Sequence, residues 1–83
     1  MSFEKALTLL KTGHVLQRQG WNGKGLYVRM VVDSTITVGE QQVNVQPYFV
    51  IVNSSKTVNT WVPSVSDIVA NDWQCLGLVG GIE

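Results

Sequence analysis

The stretch Ser2-Phe3-Glu4-Lys5-Ala6-Leu7-Thr8-Leu9-Leu10-Lys11-Thr12-Gly13-His14-Val15-Leu16-Gln17-Arg18 changes its period partway along, and that change decides the fold class. Phe3, Ala6, Leu7 and Leu10 fall at i, i+3, i+4 and i+7, an apolar stripe at helical spacing. Ser2 suits the N-cap, Glu4 complements the positive end of the helix dipole, and Lys11 sits in the last turn. Gly13 can take the left-handed conformation that closes a helix. From His14 onward the helical stripe stops, and the spacing predicts a short extended segment through Arg18.

Working outward, Gly20-Trp21-Asn22-Gly23-Lys24-Gly25 reads as a turn, because Asn-Gly and the flanking glycines favour left-handed backbone. Leu26 to Val32 is a strand with Tyr27, Arg29 and Val31 on one face and Leu26, Val28, Met30 and Val32 on the other. Ile36-Thr37-Val38 and Val43-Asn44-Val45 flank Gly39-Glu40-Gln41-Gln42, which predicts a hairpin or an extended flap. Pro47 precedes Tyr48-Phe49-Val50-Ile51-Val52, apolar throughout and so expected inside a sheet. Asn53 to Lys56 is a turn, and Thr57 to Val62 the returning strand. Ser64 followed by Asp67 resembles a capping box and starts a short helix to Ala70, with Ile68, Val69 and Trp73 expected on its buried side. Trp73 to Val79 is the last strand, and 80–83 reads as a frayed tail. The expected fold is α+β: one domain over 1–83, a small, mostly antiparallel sheet with an N-terminal helix and a short second helix before the last strand.

Composition narrows the function classes. Of 83 residues, 45% are hydrophobic and 14% charged, which excludes intrinsic disorder. Six basic residues balance six acidic ones, so no global field draws a nucleic-acid polymer. No apolar run is long enough to span a membrane and the first residues lack a signal-peptide pattern, so the expected compartment is a cytoplasm. The lone Cys75 excludes an internal disulfide and is expected to be a buried small hydrophobe. With the lone His14 it offers no metal set, and no cofactor is expected. Asp67 and Asp72 lie five apart, off one helical face and without a nucleophile, so no catalytic residue is expected. Three tryptophans with few charges predict apolar surface covered by further copies of the chain.

Two clusters carry recognition chemistry. Trp21, Asn22, Gly23 and Lys24 place an aromatic face, an amide, bare N–H groups and a cation together, suiting base, polar edge and phosphate of a nucleotide. The same loop also reads as a turn whose Trp packs on the core and whose Lys is solvated. The second cluster is Trp61-Val62-Pro63-Ser64-Val65-Ser66-Asp67, where Ser64 and Asp67 either meet a ligand, Asp67 through a ribose hydroxyl or amine, or simply cap their own helix. Arg29, or Arg18 in its place, is a candidate for phosphate, and Tyr48 for an aromatic wall.

The pieces Gly20-Trp21-Asn22-Gly23-Lys24-Gly25, Pro47-Tyr48-Phe49 and Trp61-Val62-Pro63-Ser64-Val65-Ser66-Asp67-Ile68-Val69-Ala70-Asn71-Asp72-Trp73 together resemble the second Thoeris anti-defence family of small phage and prophage proteins. The resemblance covers essentially the whole chain. It implies a sponge acting in the host bacterial cytoplasm that sequesters cyclic ADP-ribose isomers made by bacterial immune proteins, without cleaving them. It also implies a homotetramer with ligand pockets between subunits, and in some members capture of cyclic dinucleotides at a separate site. On this reading Trp21 stacks, Asn22 recognises a polar edge, Lys24 or an arginine meets phosphate, and Ser64, Asp67, Tyr48 and Trp61 line the site. The alternative is a structural or protein-interaction module with no nucleotide ligand.

Overall fold

A computed structural model describes residues 1–21 and 25–78. Helix α1 (Phe3–Lys11) is followed by β1 (His14–Arg18), β2 (Tyr27–Val31), β3 (Ser34–Val38), β4 (Gln41–Val45), β5 (Tyr48–Val52), β6 (Val58–Thr60), helix α2 (Val65–Val69) and β7 (Trp73–Leu78). The α+β architecture is the one expected from the sequence.

The first helix is built as its sequence dictates. The Ser2 side chain accepts from the Lys5 N–H at 3.3 Å, and Gly13 follows the helix with φ +90°. An L-side chain rarely adopts that backbone, which is why glycine closes this turn. Ala6 and Leu10 are fully buried against Leu16, Val28 and Trp73, and Met1, Phe3 and Leu9 pack at their margin.

Five strands form one antiparallel sheet in the order β6-β5-β2-β1-β7. The apolar β5 lies inside it, between β2 and β6, as its sequence predicts. Alternation then sorts the side chains. Leu16, Val28, Phe49 and Ile51 face α1, while Tyr27, Arg29, Val31, Tyr48, Val50 and Val52 face the opposite way. We call the second surface the rear face.

The region after β2 forms a hairpin, and it is a separate two-stranded ribbon. Asp33 turns the chain out of the sheet with φ +55°, a conformation that aspartate tolerates better than most residues. Among the described residues the ribbon shares no substantial packing with either helix or with the main sheet.

Two expectations need correction. Ile68 and Val69 are exposed, and the residue that α2 buries is Asp67. A five-residue helix has too few turns for an apolar stripe, so the ion pair made by Asp67 sets its orientation. Cys75 is exposed rather than buried. It sits on the edge strand β7, where Leu16 is its one in-register neighbour. The expected tail at 80–83 lies outside the described residues.

Candidate functional site

The site grows from the end of β1. Trp73, 1% exposed, anchors an aromatic group in which its indole NH donates to the Asp67 carbonyl at 2.9 Å. Trp21 stands edge-on to Trp73 at 5.4 Å and to Trp61 at 6.5 Å between ring centroids. Trp61 in turn meets Trp73 at 6.0 Å and Phe49 at 5.9 Å. Such tilted contacts place positive ring edges on negative faces and hold each indole at a set angle. Trp21 and Trp61 remain partly exposed, so the group has a buried anchor and an accessible rim.

A polar clamp fixes that rim. Arg18 Nε donates to Asp72 Oδ1 at 2.9 Å, and its Nη1 donates to Asp67 Oδ1 at 3.0 Å. The second Asp72 oxygen accepts from the Gly20 N–H at 2.9 Å, and the Asp72 carbonyl accepts from the Gln19 N–H. The Trp21 N–H donates to the Arg18 carbonyl at 3.1 Å, closing the turn. One arginine therefore joins β1, α2 and the start of β7, and orients the backbone that presents Trp21. A Cβ at Gly20 would lie 2.8 Å from Asp72 Oδ2, so a side chain there makes the carboxylate shift.

The clamp's charges are mutually stabilised. Bonds to Asp72 and then Asp67 raise the Arg18 pKa above its ordinary value, keeping it charged. The Arg18 bond, helped by the Gly20 N–H, lowers the Asp72 pKa against a smaller effect of burial. For Asp67, burial alone pushes the pKa up, but the Ser64 N–H, Arg18 and the Ser64 hydroxyl together bring it below the usual carboxylate range.

The remaining candidates divide by position. Ser64 and Asp67 form a reciprocal capping box: Ser64 N–H donates to Asp67 Oδ2 at 2.9 Å, and Asp67 N–H donates to Ser64 Oγ at 3.2 Å. Both Asp67 carboxylate oxygens thus already accept bonds within the chain. Arg29 and Tyr48 lie on the rear face, so one chain does not bring them to Trp21 and Trp61. Asn22, Gly23 and Lys24 lie outside the described residues. Arg18, weighed above as a phosphate contact, is engaged by two carboxylates. Sequence reasoning missed the clamp because no spacing rule links residues 54 apart. The one available signal was a charged residue close to each of Trp21 and Trp73.

The His14 Nδ1 lies 3.0 Å from Thr12 Oγ1 and 3.2 Å from the Leu9 carbonyl, at the other end of β1. Asp67 and Asp72 are held by Arg18 rather than aimed at a reacting group. Among the described residues no cluster of three or more His, Cys, Asp or Glu forms a metal site, and no helix is long and apolar enough to cross a membrane. A shallow cleft lined by Asp33, Ser34, Asn44, Val45 and Pro47 lies at the root of the ribbon.

Fold and site together define a small α+β domain that presents a clamped indole pair on its surface. The chain belongs to the Thoeris anti-defense 2-like domain family, whose profile matches residues 1–76. It is also similar to Thoeris anti-defense 2 of Bacillus phage SP01, with 33% identity over 81 residues, 88% of this chain and 91% of that protein.

Proposed function

We propose that this chain is a phage anti-defence protein that binds a cyclic ADP-ribose-type signalling nucleotide in the host cytoplasm and holds it without cleaving it. The carrying observation is the preset Trp21. Its backbone is fixed by the Arg18 and Asp72 clamp, and its ring is braced edge-on by Trp61 and Trp73. Family membership and the printed name of the phage relative support the role.

A sponge works only if it holds its ligand tightly and releases it slowly. Nanomolar affinity corresponds to about −12 kcal/mol. Stacking supplies roughly 1–3 kcal/mol per base, and charge-assisted bonds to a diphosphate about 1.5–3 kcal/mol each. Such contacts reach that total only when little ordering is left for binding to impose, which is what the clamp accomplishes for Trp21. In this reading Trp21 and Trp61 receive the base, Asn22 reads a polar edge, and Gly23 N–H and Lys24 meet phosphate. Ser64 and Asp67 support the rim through the capping box. Enclosure comes from neighbouring copies in a homotetramer, because an 83-residue chain offers little depth of its own. Cyclic dinucleotides are a second ligand class for the same assembly.

Isothermal titration with cyclic ADP-ribose isomers tests the proposal. Wild type binds one isomer tightly, and Trp21→Ala weakens it at least about tenfold, the lower range of a lost stacking contact. Heat-released nucleotide runs unchanged on chromatography. Altered nucleotide would establish catalysis instead. Absence of binding by every isomer would favour the protein-interaction module, for which the exposed ribbon is the structural support.

A further inference from the structure

The turn that joins β5 to β6 carries a lysine where its backbone favours glycine. The Asn53 N–H donates to the Thr57 carbonyl at 3.2 Å, and the Lys56 N–H donates to the Asn53 carbonyl at 2.9 Å. These bonds close a three-residue hairpin loop over 54–56. The last residue of such a loop is left-handed, a conformation that glycine takes without steric cost. Lys56 stands there instead, with φ +63°. Asp33 is the other non-glycine residue at positive φ among the described residues, and aspartate is far commoner in that conformation than lysine. Asn53 holds the turn in this shape. Its side-chain oxygen accepts from the Ser55 N–H at 3.1 Å, the Ser55 hydroxyl at 2.8 Å and the Thr57 N–H at 2.9 Å. Backbone strain of this kind clusters at binding sites.

The place of the turn gives that lysine a use. Antiparallel pairing in the order β6-β5-β2-β1-β7 brings the end of β1, the start of β2, the end of β5 and the start of β6 to one end of the sheet. The turn therefore stands at the same end as Arg18 and Trp21. It meets the chain leading into β2 at Gly25, where an added Cβ would lie 3.3 Å from Ser54 Cβ. With no side chain at Gly25, the turn and that backbone are in close approach. Ser54 and Lys56 are both exposed. The carboxylates at this end, Asp67 and Asp72, are held by Arg18, whereas Lys56 has no ion-pair partner among the described residues.

We infer that Lys56 is a phosphate-binding residue of the nucleotide site, presented by the β5–β6 turn, and that it selects ligands bearing a diphosphate. This rests on the sequestration proposed above and names a further contact of that same site. With the base on Trp21 and Trp61, the phosphates extend toward Gly25, and the neighbouring turn supplies a cation to them. The lysine stem carries its ammonium past Gly25, which offers no side chain to block it. An ammonium acts on phosphate as a point charge with three donors, so it can follow oxygens that no planar fork would fit. Glycine at 56 would make the same turn at lower backbone cost. A cation kept there against the preference of the backbone is a residue held for binding rather than for folding.

Lys56→Gly tests the assignment, because stability and affinity are expected to move in opposite directions. Glycine relieves the left-handed backbone, so the variant melts at or above the wild-type temperature. In isothermal titration with the cyclic ADP-ribose isomer that wild type binds, its affinity falls at least about tenfold, the loss of one charge-assisted contact. Lys56→Asn, which also tolerates left-handed backbone, repeats both results, and Lys56→Arg retains most of the affinity. The affinity gap between wild type and Lys56→Gly narrows as salt rises from about 50 mM to about 500 mM, since salt screens the ammonium. A folded Lys56→Gly protein that binds as tightly as wild type overturns the assignment, as does a gap that salt leaves unchanged. A lower melting temperature together with lower affinity also overturns it, because the lysine would then be supporting the turn. Trp21→Ala separates two kinds of failure. If it weakens binding while Lys56→Gly does not, the nucleotide site stands and Lys56 lies outside it. If wild type binds no isomer, the sequestration proposal falls and this assignment with it.

Discussion

Arg18 spreads its guanidinium between two carboxylates from different elements, so its loss leaves both without their cation. Arg18→Met is expected to cost about 1–3 kcal/mol, the usual penalty for stranding partly buried hydrogen-bonding groups. At ~4–8 °C per kcal/mol for a domain of this size, the melting temperature falls visibly. The pH dependence has a definite sign. Asp67 and Asp72 both have folded-state pKa values below the ordinary carboxylate value. Their stabilisation is therefore complete above that ordinary value and is lost as pH falls through it toward the folded values. Thermal melts from pH 7 down to pH 3 should show the gap between wild type and Arg18→Met narrowing with acid; a constant gap would deny the clamp an electrostatic role. Gly20→Ala acts on the same bonds from the backbone, since the added Cβ meets Asp72 Oδ2 at 2.8 Å. It should reduce near-ultraviolet ellipticity from the indoles and lower stability by about 1 kcal/mol, the value of a displaced hydrogen bond.

At the scale of elements, the two helices depend on different things. The nine residues of α1 bury a full apolar stripe, and packing sustains it. The five residues of α2 bury only Asp67, so this helix depends on its capping box and on Arg18. Ser64→Ala is therefore expected to cost about 1 kcal/mol and to loosen Asp67, read as faster amide exchange through 65–69. Ser2→Ala, with the same lost cap but a packed helix behind it, should leave α1 amides protected. Equal exchange in the two variants would contradict this division.

For the whole molecule, the main sheet and the ribbon belong to different stability regimes. Strands β1, β2, β5 and β7 carry buried residues, whereas among the described residues the ribbon strands pair only with each other and bury none. Hydrogen exchange should report this directly. Ribbon amides are expected to exchange faster than amides of β1, β2 and β5. Equal protection of the ribbon and of those three strands would contradict this division.

Much of this architecture was legible locally. Helical spacing at Phe3, Ala6, Leu7 and Leu10, glycine after the helix, alternation in Leu26–Val32 and Ser64 before Asp67 each specify backbone through neighbours in sequence. The family resemblance put Trp21 and Trp61 in one candidate site, and the two rings meet edge-on at 6.5 Å. Tertiary structure alone decided which way those pieces face. It joined Arg18 to Asp67 and Asp72, exposed Ile68, Val69 and Cys75, and set Arg29 and Tyr48 on the sheet surface opposite the indoles. Short-range pattern determines backbone conformation because its causes are steric and lie within a few residues. Contacts between distant segments depend on sheet order and on which surface the helix covers, and no local period encodes either.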